Sequence, residues 1–151
     1  MRDGDADFPL FGDWTKPGPD AGAHLLVHDR QNRVLLQLRD DIPGIAYPGW
    51  WSLFGGGVEG DEPLRIAAVR ELAEETGLSA DPETLVPFGR TLSRWGKRRL
   101  RLYVYRWAWD GTPAAVRLGE GAGFALLEAG QLDALPIIPE FLPILRAHLA
   151  A

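Results

Sequence analysis

A chain of 151 residues, 46% hydrophobic and 25% charged, has room for one soluble domain with a substantial core. It contains no cysteine, which excludes a disulfide framework, a thiolate nucleophile and a Cys-based zinc site. A net charge of −5 argues against gripping duplex nucleic acid through its phosphates, but a small anion remains open as a ligand if a divalent cation supplies positive charge locally.

Residues 1–20 are rich in Asp, Gly and Pro yet carry Phe8, Leu10, Phe11 and Trp14. They read as an extension, either loosely held or packed as an arm on the domain or a second subunit, ahead of a domain at residues 21–151. The segment lacks a basic stretch followed by an apolar run, and nothing in the chain approaches the roughly 18 apolar residues that span a bilayer. A cytoplasmic location without membrane contact is therefore expected.

The runs His24–His28 and Val34–Leu38 flank a polar link and predict a β-hairpin. Asp40–Gly49, with Pro43, Gly44, Pro48 and Gly49, predicts a loop, after which Trp50–Phe54 forms a short strand leading to Gly55-Gly56-Gly57. Three glycines in a row suggest unusual φ angles or close approach to the backbone. The next stretch predicts a helix capped by Asp61 or Glu62, with Pro63 in its first turn and Gly77 just past its end. At about 100° per residue, Ile66, Val69 and Ala73 make its expected core stripe. Glu71, Glu74 and Glu75 then gather on the other side, near the C-terminus, where both the helix dipole and their mutual repulsion disfavour them. Rule-breaking concentrated at one spot points to a functional site. Clustered carboxylates on a rigid helix suit a hard divalent cation such as Mg²⁺, which would relieve the repulsion.

Two longer strands follow, over Thr84–Trp95 and Arg99–Trp109, joined through Gly96-Lys97. The second places Arg101, Tyr103 and Tyr105 opposite Leu102 and Val104. Gly119–Gly123 is a second glycine-rich loop, carrying Glu120 into a strand at Phe124–Leu127. Phe141, Leu142, Leu145 and Leu149 give the spacing of a C-terminal helix. Strands, helix, strands and helix in this order predict an α/β fold with helices covering a mixed sheet.

Gly56, Glu62, Arg70-Glu71-Leu72, Glu74-Glu75 and Gly77-Leu78 together resemble the complete Nudix box, which occupies 23 of the 151 residues here. The resemblance implies a Nudix α/β/α sandwich, with the loop–helix–loop mounted on a mixed β-sheet. It implies hydrolysis of a diphosphate bond in a nucleoside diphosphate linked to another moiety, using Mg²⁺ or Mn²⁺. By the same resemblance Glu71, Glu74 and Glu75 match metal-binding and base glutamates, and Gly55 matches a position whose carbonyl joins the metal shell. Glu62 and Arg70 match a pair bracing the loop. A later loop often adds an acidic ligand or base, and Glu120 is the candidate by position. Which glutamate acts as base varies among relatives. Phe54 departs from the Pro common before the double glycine, and no motif assigns a branch. A nucleoside triphosphate or modified dNTP is the first expectation, followed by a nucleotide sugar or ADP-ribose. A catalytically silent ligand-sensing module is a further alternative, and an isopentenyl-diphosphate isomerase is disfavoured because it relies on a Cys. Nudix relatives are often dimers, which allows a homodimer here.

Outside the box, Arg90, Arg94, Lys97, Arg98, Arg99 and Arg101 make the hairpin after the helix the most basic stretch. Arg99 and Arg101 are candidates for substrate phosphates, against a solvated strand face. Trp50 and Trp51 are candidates for stacking a base, as is Trp95, against a place in the core.

Overall fold

The computed structural model describes residues 3–150. Its first hairpin determines the architecture. Strands β1 (Ala21–His28) and β2 (Val34–Leu38) are joined by a turn in which the Asp29 carboxylate accepts the backbone N–H groups of Gln31 and Arg33. The two strands pair only beside that turn, at Val27–Leu35 and His28–Val34. Farther along they splay, and the chain returning from the 39–50 loop fills the gap. β3 (Trp51–Ser52) pairs with β2, and β4 (Phe54–Gly57) pairs with β1. The segment at 50–54 expected as one strand is thus divided between two partners.

β6 (Arg101–Ala108) runs parallel to the other side of β1, with β5 (Val86–Leu92) antiparallel outside it. β7 (Gly123–Leu127) closes the opposite edge on β2. Both long strands are shorter than the sequence suggests, because Gly96 at φ 71° and Arg99 at φ 50° turn the chain between them. The result is a seven-stranded mixed sheet. Side chains alternate across it: Leu25, Val27, Tyr103 and Tyr105 pack beneath helix α1 (Leu64–Thr76), while Leu26, Leu102 and Val104 pack beneath helix α2 (Leu142–Leu149). This is the expected α/β/α sandwich.

Helix α1 corrects two expectations. Neither Asp61 nor Glu62 caps it. The N-cap residue is Pro63, without a side-chain cap bond, and Glu62 is drawn instead to Arg70. Of the expected core stripe only Val69 packs inward, half-buried: Ile66 is 43% exposed and Ala73 is exposed, whereas Ala67, Ala68, Leu72, Glu75 and Thr76 are buried. Small alanines let the helix settle closely on β1 and the glycine-rich β4, a face that an apolar count underrates. The left-handed C-cap at Gly77, φ 74°, stands where the sequence puts it.

The N-terminal residues form an arm across the α1 side of the sheet. Phe8 is 1% exposed and meets Tyr103 and Tyr105 edge-to-face, each with ring centroids 5.1 Å apart. The Asp3 carboxylate accepts the Tyr105 hydroxyl and pairs with Arg65, and Asp5 accepts the Tyr103 hydroxyl. Leu10 bridges to Arg90 on the outer edge of β5, covering an edge otherwise open to pairing with another chain. Truncating Phe8 to Ala should destabilise the whole domain by about 3–5 kcal/mol, because the cavity opens in the main core. Urea unfolding measures this, and an unchanged midpoint would show that the arm is dispensable to the fold.

Candidate functional site

Three segments converge at the C-terminal half of α1: the glycine run of β4, the middle of β2, and the loop before β7. Each is shaped by a close approach. At Gly55, φ 149°, a Cβ would stand 2.4 Å from the Ala23 carbonyl oxygen, so only glycine fits against β1. At Gly56 a Cβ would fall within 2.7 Å of both carboxylate oxygens of Glu71, so Glu71 lies directly over bare backbone.

Glu75 sits deepest. It is 4% exposed, and its carboxylate accepts the Gly55 N–H at 2.8 Å and the Gln37 side-chain amide at 3.2 Å. Burial pushes this carboxyl up to about 7; the two donors oppose the rise, and the charges of Glu71 and Glu120 add to it. Burial likewise raises Glu71, against the pull of Arg70, with Glu74 and Glu120 contributing repulsion. Gln37 escapes any motif reading. Its one trace in the sequence is a lone amide within the apolar run Val34–Leu38.

Arg70 organises the outer side. Its guanidinium holds Glu62 bidentately at 2.8 and 2.9 Å, which keeps Glu62 below the usual carboxylate range. It also donates to Glu71 at 3.0 Å, to Glu74 at 3.4 Å and to the Gly57 carbonyl at 3.0 Å. The exposed loop residue Glu59 lies 3.7 Å from it. The glutamates therefore fan outward, from buried Glu75 through Glu71 to Glu74, whose side chain is 58% exposed.

Glu120 is delivered by helix capping. The last carbonyls of α1 lack intrahelical donors. The N–H of Arg117 donates to the Thr76 carbonyl and that of Gly119 to the Glu75 carbonyl, each at 2.8 Å. A Cβ on Gly119 would lie 2.2 Å from the Glu74 carbonyl oxygen. Docked this way, Glu120 joins Glu75, Gln37, Arg39, Asp40 and the loop residues Ile42 and Ile45 around a cavity of 130 Å³.

Among the described residues, no three acidic or histidine side chains stand together as a ready-made metal cage. The donor chemistry nevertheless fits a hard divalent cation, since Glu71, Glu74, Glu75 and Glu120 supply oxygen atoms and leave uncompensated repulsion at a buried carboxyl. The long contact from Arg70 to exposed Glu74 costs little to give up.

Arg99 and Arg101 are engaged elsewhere. Arg99 donates to Asp13 and to the Thr15 and Lys16 carbonyls, and Arg101 to the Gly18 and Pro19 carbonyls. The arm therefore takes up guanidinium donors considered for substrate phosphates. Trp51 packs on the α2 side with its backbone bonded to Pro136 and Ile138, while Trp50 contacts Tyr47.

Residues 18–146 match the family model for the NUDIX domain. The CTP pyrophosphohydrolase of Escherichia coli is 27% identical over 124 residues, 82% of this chain and 87% of that protein. The m7GpppN-mRNA hydrolase of Danio rerio is 37% identical over 78 residues, 52% of this chain, and the RNA pyrophosphohydrolase of Novosphingobium aromaticivorans is 37% identical over 67 residues, 44% of this chain. The matches span only 25% and 39% of those two proteins. Among solved structures, a MutT protein from Methanosarcina mazei superposes with a TM-score of 0.71 at 20% identity, over 90% of this chain and 96% of that one.

The raised Glu75 carboxyl gives a signed prediction for metal-free protein. A carboxyl with a folded value above its unfolded one stabilises the fold at low pH, and that contribution is lost as pH rises through about 7. Relative to Glu75→Gln, wild type should lose about 2–3 kcal/mol between pH 5 and 8.5. Chemical unfolding in EDTA at both pH values measures it, and parallel pH profiles would contradict the burial of a titrating Glu75.

Proposed function

The chain belongs to the Nudix family, and from that premise we propose that it is a divalent-metal-dependent diphosphohydrolase. Its substrate class is a nucleoside diphosphate linked to a further moiety, with a nucleoside triphosphate or modified dNTP giving the monophosphate and pyrophosphate as the first expectation. The observation that carries this reading is Glu75, a buried carboxyl near pH 7 held between the Gly55 N–H and Gln37, with Glu71 and Glu120 acting on it. A CTP pyrophosphohydrolase similar along most of its length supports the nucleoside triphosphate reading.

Glu71, Glu74, Glu75 and Glu120, with the Gly55 carbonyl, are the proposed holders of Mg²⁺, or Mn²⁺ in its place. Such a cation, when bound, neutralises phosphate oxygens and lowers the pKa of a coordinated water. Arg70 keeps Glu71 over Gly56 and anchors the approach loop through Glu62. Glu75, at the floor of the site, and exposed Glu120 are the candidates to take the proton of the attacking water. Water attacks one phosphorus, the bond to the bridging oxygen breaks, and both products leave as phosphates. Asp40, Ile42 and Ile45 of the 39–50 loop line the cavity beside Glu75, which makes this loop the candidate to receive the group attached to the diphosphate.

Glu74→Gln and Glu75→Gln should each lower kcat by two or more orders of magnitude in saturating Mg²⁺, with the fold retained. The assay is phosphate release across NTPs, oxidised dNTPs, nucleotide sugars and dinucleotides, with products identified. Near-wild-type turnover in either variant would sink the proposed ligand set. Tight ligand binding without hydrolysis of any member of the panel would instead indicate a sensing module.

A further inference from the structure

We infer that Gln37 is a positioning residue of the metal site, whose side-chain amide fixes the orientation in which Glu75 meets a divalent cation. The inference rests on the metal-dependent reading above. Gln37 is 4% exposed, on a strand where Val34, Leu35 and Leu36 are each 0% exposed. An aliphatic side chain would fill such a place without burying a polar group. A buried amide is costly unless it is bonded, so its partners disclose its use.

Nε2 of Gln37 donates to the Leu53 carbonyl and to Oε2 of Glu75, each at 3.2 Å. The Leu53 carbonyl is an acceptor only, so the NH2 end of the amide must face this pair. That carbonyl lies where the chain passes from β3 to β4, and it already accepts the Ser52 hydroxyl at 3.0 Å. Glu75 is thus the partner that requires Gln37. Its Oε1 takes the Gly55 N–H at 2.8 Å, and its Oε2 takes the amide. One bond, to Gly55, would leave the carboxylate free to pivot. A second bond on the other oxygen fixes its plane, and each oxygen keeps a further lone pair for a cation.

The donor is also neutral. Glu71 and Glu74 are steered by the Arg70 guanidinium, whereas Glu75 is steered by an amide. A cationic side chain in this buried place would offset the carboxylate and compete with the metal; an amide directs it and leaves its charge in place. Groups that orient a metal ligand from behind commonly matter to affinity nearly as much as the ligand does. The far end of the amide, Oε1, is turned toward Gly121, where a Cβ would come within 3.2 Å of it. Gly121 directly follows Glu120 and has a φ of 92°, and the N–H of Ala122 is bonded to the Leu38 carbonyl. One amide therefore stands between Glu75 and the loop of Glu120, at the wall of the cavity they share.

The test is titration of the full chain with Mn²⁺ in the absence of substrate, reading the free ion by electron paramagnetic resonance. Gln37→Met keeps the length of the side chain and removes the donor. It should weaken Mn²⁺ binding by roughly 10- to 100-fold, and the Mg²⁺ concentration for half-maximal turnover should rise with it while KM for the nucleotide is unchanged. In a Glu75→Gln background the same substitution should cause no further loss of Mn²⁺ affinity, because its effect passes through Glu75. Should Gln37→Met fail to fold, Gln37→Asn, which keeps the amide and loses its reach, carries the same expectation. Wild-type Mn²⁺ affinity in the folded variant would overturn the positioning role, as would an additive loss in the double variant. The readings fail separately: Gln37-dependent Mn²⁺ binding without hydrolysis of any diphosphate would keep this role and remove the diphosphatase. A wild-type chain that binds no Mn²⁺ would remove the metal reading and this inference together.

Discussion

The seating of Glu75 on the Gly55 N–H, between helix and sheet, is the constraint that the rest of the structure accommodates. A carboxyl so deeply buried requires donors and close neighbours, and each surrounding segment supplies one. The splayed hairpin makes room for β4 beside β1, which puts the Gly55 N–H in reach. Gln37 reaches in from β2. The alanine face of α1 lets the helix descend far enough for the bond to form. Gly56 leaves space for Glu71, so that two carboxyls share a region in which one is already costly.

Much of this was legible in the chain, and what was missed has a physical cause. The glutamate spacing, the glycine run and the C-cap at Gly77 are local features, and they stand where the sequence put them. The direction of α1 did not follow from apolar periodicity, because its inner face mixes two alanines and Leu72 with Glu75 and Thr76 while Ile66 points outward. Gln37 was illegible because its meaning depends on a residue 38 positions away. Glu120, which lines the cavity with Glu75, was a candidate by position alone. Its placement rests on backbone N–H groups capping α1, and backbone donors leave no mark in a sequence except through Gly119.

Charge in this molecule is arranged by sign. The basic hairpin looks free in sequence, but its guanidiniums are matched by the acidic arm: Asp13 with Arg99, Asp20 with Arg98, and Asp3 with Arg65 on α1. The two hairpin pairs are exposed and add little stability one by one, whereas Asp3–Arg65 is largely buried at α1. The effect of the hairpin pairs is to tie up those guanidiniums away from the glutamates, which have Arg70 and Arg39 as their neighbouring positive groups.

The arm also makes folding a long-range event. Asp3 meets Tyr105 across 102 residues and Asp5 meets Tyr103 across 98, so the arm, made before the sheet, finds its partners only after most of the domain exists. Closing such loops slows folding relative to local contacts. During synthesis Phe8 and Trp14 stay exposed until β6 is in place. A ribosome-bound intermediate at that stage carries a free apolar segment together with a β5 strand still lacking β6, its partner in the sheet, and these are the two surfaces most inclined to pair with another copy.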